Sequence, residues 1–259
     1  MTVRKLSECT ALVTGSRSGI GFEIAAQLAE AGVPRLYMNG RDEVRGAQAL
    51  QRLKARAPDC DVRFHAADLR TYEAARGLVD QVITDFASLD ILVTSIPGHL
   101  SPRPFHTIEP GAFEEQIQSH LGSVLYTCHA AMPHLIARAG GVIVNLASDA
   151  AKVATPGEAL QGALKAGVVM FSRTLALEAS RYGIRVHAIT PSVVKGTAAY
   201  ERIMASEFSQ KLFAKAESKA KLGVVEPADI APLVVFLAGP GAAKMTGQAI
   251  SVNGGISAS

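Results

Sequence analysis

Thr14-Gly15-Ser16-Arg17-Ser18-Gly19-Ile20-Gly21 follows a short apolar run directly and opens an amphipathic one. Glycines spaced Gly-x3-Gly-x-Gly let a backbone turn tightly and approach a pyrophosphate, and the free N–H groups of a helix start attract that anion. Glycine trios arise often by chance, but in a strand–turn–helix setting this early in a chain they read as a dinucleotide-binding loop. Gly15, Ser16, Arg17, Gly19, Ile20 and Gly21 are therefore expected to hold a cofactor. A site for an unphosphorylated ribose places a carboxylate after the second strand, where it bonds the hydroxyls and repels phosphate. Here the run Met38-Asn39-Gly40-Arg41 has glycine at that place and arginine next, with Arg17 in the loop. Two guanidiniums can grip a 2′-phosphate bidentately, so NADP(H) is the expected cofactor. The plainer reading makes both arginines ordinary surface residues.

Other chemistries find less support. The 7 histidines and 3 cysteines lack ligand spacings such as His-x3-His or Cys-x2-Cys, so no metal centre is expected. Ser148 lacks the Gly-x-Ser-x-Gly elbow of a hydrolase nucleophile. Cys9, Cys60 and Cys128 are odd in number and scattered, which suits a reducing cytoplasm better than a disulfide framework. With 26 basic against 23 acidic residues, the net charge is +3 and no dense basic run stands out, so nucleic acid is not an expected partner. Residues 1–8 are short and polar, so no signal peptide is expected. Apolar stretches such as 230–238 reach about half a membrane span and contain Pro232, so no membrane span is expected.

The elements that must position these residues can be read from hydropathy. Short aliphatic runs at 11–13, 36–38, 62–66, 91–93, 142–146, 186–189 and 249–252 alternate with helix-length segments. That alternation is the signature of βαβ units around a parallel sheet with helices on both faces. Ile20, Ile24 and Leu28 share one face of a helix that Gly32 should end. Leu50 with Leu53, Leu78 with Val82, and Val168 with Phe171 and Leu175 have similar helical spacing. Residues 192–224 break the rhythm: they are polar and carry Lys195, Lys211, Lys215, Lys219 and Lys221. Such an insertion is either a lid beside a site or a solvated helical excursion.

Four further landmarks follow the glycine loop in order: Asp68-Leu69, Asn145-Leu146-Ala147-Ser148, Lys165-Ala166-Gly167, and Thr246-Gly247-Gln248 with Val252-Asn253-Gly254-Gly255. Together they resemble the short-chain dehydrogenase/reductase superfamily over essentially the whole chain. The resemblance implies one Rossmann-type α/β domain over 1–259, with a doubly wound parallel seven-stranded sheet; the polar segment at about 192–224 is its expected substrate-side flap. It places Asp68 and Leu69 at the adenine pocket and adds Lys165 and Thr197 to the cofactor-binding residues. It also implies a homotetramer or homodimer built on the segments at about 111–139 and 158–182 and on the C-terminal strand.

In that superfamily a serine polarises the substrate carbonyl and a tyrosine gives or takes the proton. A lysine binds the nicotinamide ribose and lowers the tyrosine's pKa, and an asparagine of the preceding helix completes a water relay. Ser148 and Lys165 fall at matching positions, but Gln161 stands where the tyrosine should be, and no tyrosine lies between Tyr126 and Tyr182. A glutamine amide donates a hydrogen bond but not a proton at neutral pH. General acid catalysis is worth roughly 10²–10⁴-fold, or about 3–5 kcal/mol of barrier. The asparagine position is taken by His120, and Pro97, His187 and Ser192 replace further expected residues. These departures are expected to cluster at the nicotinamide and substrate end. His120, then His99, could supply the missing acid, though any one such histidine is more often a satisfied helix or loop residue. Tyr200 on the flap is a remoter source, while His129 and His134 read as helix-surface or packing residues. Two functions follow. One is an NADP(H)-dependent oxidoreductase acting on a small carbonyl compound or secondary alcohol by a non-standard proton route, with Ser148, Gln161, Lys165 and His120 as catalytic candidates. The other is a redox-silent relative: an isomerase, lyase or cyclase, or a cofactor-binding regulatory subunit.

Overall fold

All seven expected strands form in the computed structural model, which describes residues 3–96 and 101–258. The first half runs β1 (Thr10–Val13), α1 (Gly19–Glu30), β2 (Arg35–Gly40), α2 (Glu43–Arg56), β3 (Asp61–Ala66), α3 (Tyr72–Phe86) and β4 (Ile91–Thr94). After it come α4 (Phe113–Ile117), a π-helical turn (Gln118–Gly122), α5 (Ser123–Ala137), β5 (Gly141–Leu146) and α6 (Ala159–Ser180). The chain ends with β6 (Ile184–Pro191), α7 (Ala198–Ile203), α8 (Glu207–Glu217), α9 (Pro227–Ala238) and β7 (Ala249–Val252). The sheet order is β3-β2-β1-β4-β5-β6-β7, with every neighbouring pair parallel.

Burial on both faces explains why the strands read as nearly unbroken apolar runs. One core, built on Ile24, Leu28, Leu53, Ile230 and Val234, lies under α1, α2 and α9. The other, built on Leu78, Val82, Val124, Leu135 and Val168, lies under α3, α5 and α6. Several strands extend past their apolar runs because the ladder continues through polar residues; β6, for example, already includes Arg185. That guanidinium is buried and donates to the carbonyls of Leu237, Ala238 and Ala242, closing the C-terminal end of α9.

A polar knot ties α6 to the sheet. Asn145 is fully buried on β5; its Oδ1 accepts from the Thr94 hydroxyl at 2.7 Å, and its Nδ2 donates to Ser172 Oγ at 2.9 Å. Asn145 thus joins β4, β5 and the helix that carries Gln161 and Lys165. Its truncation leaves buried hydroxyls without their partner, which costs about 1–3 kcal/mol per group. We expect Asn145→Ala to lower the urea midpoint of unfolding with an unchanged m-value. An unshifted midpoint would remove this knot from the account.

Candidate active site

A cavity of about 490 Å³ runs along the carboxyl ends of the strands. It lies at the switch point between β1 and β4, where successive crossovers leave in opposite directions, the usual crevice of an open α/β sheet. Gly15 and Gly19 take the left-handed φ values of 61° and 58°. A β-carbon on Gly15 would sit 1.9 Å from the Ser95 carbonyl oxygen, and one on Gly21 would sit 2.6 Å from the Gly15 oxygen. One on Gly19 would lie 3.4 Å from Thr197 Cγ2 and narrow the gap between the loop and α7.

Gly15, Arg17, Gly19, Ile20, Gly21, Arg41, Asp68, Leu69 and Thr197 all line this cavity. Ser16, grouped with them from the sequence, is turned inward. It is fully buried, its hydroxyl donates to the Val13 carbonyl at 2.7 Å, and its N–H donates to the Asn39 carbonyl. Its side chain braces the loop from below. Arg17 lies across Gly40, whose imagined β-carbon would be 3.2 Å from Arg17 Cδ. Burial would raise the Asp68 carboxyl's pKa, but hydrogen bonds from Arg70 outweigh it, with Arg41 assisting, and the pKa is held below the usual range.

At the other end, Ser148 follows β5, and its Oγ accepts the Ala150 N–H at 3.3 Å, leaving its own proton to donate. Lys165 is buried on α6, with Nζ donating to the Leu146 carbonyl at 3.2 Å. Burial pushes its pKa down to about 8. Gln161 lies one turn earlier, and His120 is buried on the π-helical turn; both face the cavity. Such turns interrupt a helix's regular ladder and often accompany functional sites.

The structure scatters the other expected residues. His187 does not reach this end: it lies on β6, fully buried, in register with Val144, and it does not line the cavity. Strand alternation turns it to the face that packs against α9, beside Arg185. Burial, then the Arg185 charge, push its pKa down to about 4. His129 packs edge-on against Tyr72. Tyr200 lines the cavity, yet its hydroxyl donates to Glu217 at 2.8 Å. Pro97 and His99 lie outside the described residues.

Two carboxyls escaped the sequence reading. Asp149 is buried beside Ser148, and its Oδ2 accepts from Asn253 at 3.3 Å and Ser257 at 2.5 Å. Glu158 stands at the N-cap position of α6 without a side-chain capping bond and accepts from Gln161 Nε2 at 3.3 Å. The available signal was the three-residue spacing from Glu158 to Gln161, which puts both on one helical face. Among the described residues, no group of three or more His, Cys, Asp or Glu could hold a metal ion. Nor is any helix among them long and apolar enough to cross a membrane.

A family model described as Enoyl-(Acyl carrier protein) reductase matches residues 15–257. The chain belongs to that family, within the short-chain dehydrogenase/reductase superfamily. It is an oxidoreductase family by its relatives. The 2,3-dihydroxy-2,3-dihydro-p-cumate dehydrogenase of Pseudomonas putida is 33% identical, covering 95% of this chain and 93% of that protein. The 3-ketoacyl-(acyl-carrier-protein) reductase of Brucella melitensis, solved with NADH, superposes with a TM-score of 0.86 at 26% identity, covering 98% of this chain and 100% of that one. Gluconate 5-dehydrogenase of Burkholderia cenocepacia, solved with NADP and tartrate, gives 0.86 at 25% identity, covering 97% and 96%. Within this superfamily fold, Ser148, Gln161 and Lys165 meet at one end of the cavity and the glycine loop at the other.

The Lys165 shift has a measurable sign. Its pKa is lowered to about 8 in the fold, so between about pH 8 and 10.5 the unfolded chain binds the extra proton and stability rises with pH. In protein without cofactor, Lys165→Met should be more stable than wild type at neutral pH, by at most about 3 kcal/mol. The gap should close as pH climbs through that window. A gap that stays constant from about pH 7 to 10 would contradict the assignment.

Proposed function

We propose that this chain is an NADP(H)-dependent oxidoreductase interconverting a small carbonyl compound and its secondary alcohol, with a proton route that bypasses a tyrosine. The observation that carries the reading is one continuous cavity joining the arginine-lined glycine loop to the polar group around Ser148 and Lys165. The loop fits a dinucleotide. Gly19 keeps clear a gap that a side chain would fill, and the first N–H groups of α1 have no acceptor within the helix. Gly15, Arg17, Gly19, Ile20 and Gly21 would hold the pyrophosphate, and Asp68 and Leu69 would border the adenine. Arg17 and Arg41 would take the 2′-phosphate, since Gly40 offers no carboxylate to repel it.

When bound, NADPH supplies the hydride. Ser148 donates a hydrogen bond to the substrate oxygen, and Lys165 holds the ribose. Gln161, at the superfamily's tyrosine position, adds a hydrogen bond without a proton. The whole chain reads as one domain whose 192–224 segment is a flap that keeps water from the reacting atoms. Support for the flap comes from its packing: Ser209 donates to the Pro102 carbonyl at 3.3 Å, and Phe208 lies against Gly157 beside α6. Assembly into a dimer or tetramer fits Met170 and Leu177, which are 60% and 77% exposed and two turns apart on α6.

Cofactor choice is read by fluorescence titration. NADPH should bind at least about tenfold more tightly than NADH, because a paired 2′-phosphate is worth one or more charge-assisted contacts. Gly40→Asp should reverse the order by displacing Arg17 and repelling the phosphate. Equal affinities in the wild type would defeat the NADP(H) assignment. Activity is read as NADPH oxidation over a panel of β-keto esters, α-diketones and aldehydes. Turnover above the solution rate is expected; binding without turnover on any of them would favour the redox-silent relative.

A further inference from the structure

A reductase built on this cavity needs an acid that Gln161 cannot be. Three of the cavity's other polar groups are engaged elsewhere. The Tyr200 hydroxyl donates to Glu217, Asp149 is held through Oδ2 by Asn253 and Ser257, and Lys165 donates to the Leu146 carbonyl. Glu158 differs. It stands at the start of α6, one turn before Gln161 and two before Lys165, so the three side chains rise along one helical face. The Gln161 amide donates to Glu158 Oε1 at 3.3 Å, and both residues line the cavity with Ser148. We propose that Glu158 is the proton donor of this reaction, steered to the substrate oxygen by the Gln161 amide. This role rests on the oxidoreductase reading above.

The step balances simply. The supplied hydride brings two electrons to the carbonyl carbon as the C=O π pair moves onto oxygen. The Glu158 O–H bond breaks as the alcohol O–H bond forms, and the resulting carboxylate recovers a proton from solvent. In the alcohol-oxidising direction the carboxylate is the base. The surroundings hold the acid partly protonated near neutral pH. Burial raises the Glu158 carboxyl most, the Thr155 hydroxyl pulls it back, and the Asp149 charge pushes it up again, to about 7. Among the described residues, the other charged or titratable groups near this end are Lys165 on α6, Lys152 beside Asp149, His120 on the π-helical turn, and Tyr200, Arg202, Lys215 and Lys219 on residues 192–224. An acid with a pKa near the working pH serves general acid catalysis best. Because the folded pKa is raised, Glu158 is protonated below about 7, so reduction should slow as pH rises through that value and oxidation should quicken.

The test compares wild type with Glu158→Gln and Glu158→Asp, using ethyl acetoacetate and 2,3-butanedione as probes. Three quantities are read: the NADPH dissociation constant, the pH profile of kcat, and the 13C resonances of labelled glutamate carboxyls in cofactor-free protein. Glu158→Gln should lower kcat by about 100-fold or more while NADPH affinity stays within about threefold. It should also abolish the limb near pH 7 and delete a carboxyl resonance that titrates there. Glu158→Asp should keep part of the rate and move the limb. If Glu158→Gln does not fold, Glu158→Asp and the wild-type titration decide. A kcat within about threefold of wild type in Glu158→Gln, or a Glu158 resonance titrating at about 4–5, overturns the donor role and leaves the oxidoreductase reading intact. A wild type that binds NADPH yet turns over neither these probes nor the wider carbonyl panel overturns that reading, and the donor role with it.

Discussion

The Ser95 carbonyl oxygen lies 1.9 Å from where a β-carbon on Gly15 would sit, so the turn after β1 has to be backbone alone. That contact lets the loop nest against the end of β4, and Gly21 then tucks under Gly15 by the same means. The first turn of α1 is thereby brought to the mouth of the crevice between β1 and β4. Its unsatisfied N–H groups face the one place where neighbouring crossovers diverge. The cavity exists because those two backbones approach so closely.

The reactive end is held from three directions. Asn145 fastens α6 to β4 and β5 from below. The C-terminal segment holds the loop after β5 from the side, through Asn253 and Ser257 on Asp149. The same segment reaches residues 192–224: Leu222 N–H donates to the Gly254 carbonyl at 3.1 Å, and a β-carbon on Gly254 would strike the Gly223 oxygen. Val194 and Val225 bridge the base of that insertion. The C-terminal glycines therefore join the segment over the cavity to the loop that presents Ser148.

Electrostatically the two ends differ in kind. Arg17, Arg41 and Arg70 line the end beside the glycine loop, where guanidiniums favour an anion. At the reactive end burial works toward neutrality from both sides, lowering the ammonium of Lys165 and raising the carboxyl of Glu158. Desolvation disfavours whichever form is charged, so it brings an acid and a base toward the same pH. Groups so placed can exchange protons near neutrality, which ordinary lysines and glutamates do not.

Much of this was legible in the sequence, and the reason is periodicity. Seven aliphatic runs between helical segments specify a parallel sheet because both faces of each strand must be buried. The glycine loop was legible because its glycines answer local steric demands. Ser148, Gln161 and Lys165 were legible as positions in a pattern. What lies between patterns was not. His187 looked like a member of the reactive end, but strand alternation turned it to the opposite face, against α9. Ser16 looked like a ligand and became a brace. Glu158 drew no notice, because a glutamate just before a helix is an unremarkable surface residue in the sequence. Its proximity to Gln161 and its partial burial under other elements arise only when α6 docks beside the loop after β5. The chain alone determined which backbone segments form and where the glycine loop must turn, since those follow from local sterics and hydropathy. Tertiary structure decided which side chains share the cavity and how readily they lose protons, since both depend on burial that distant segments supply.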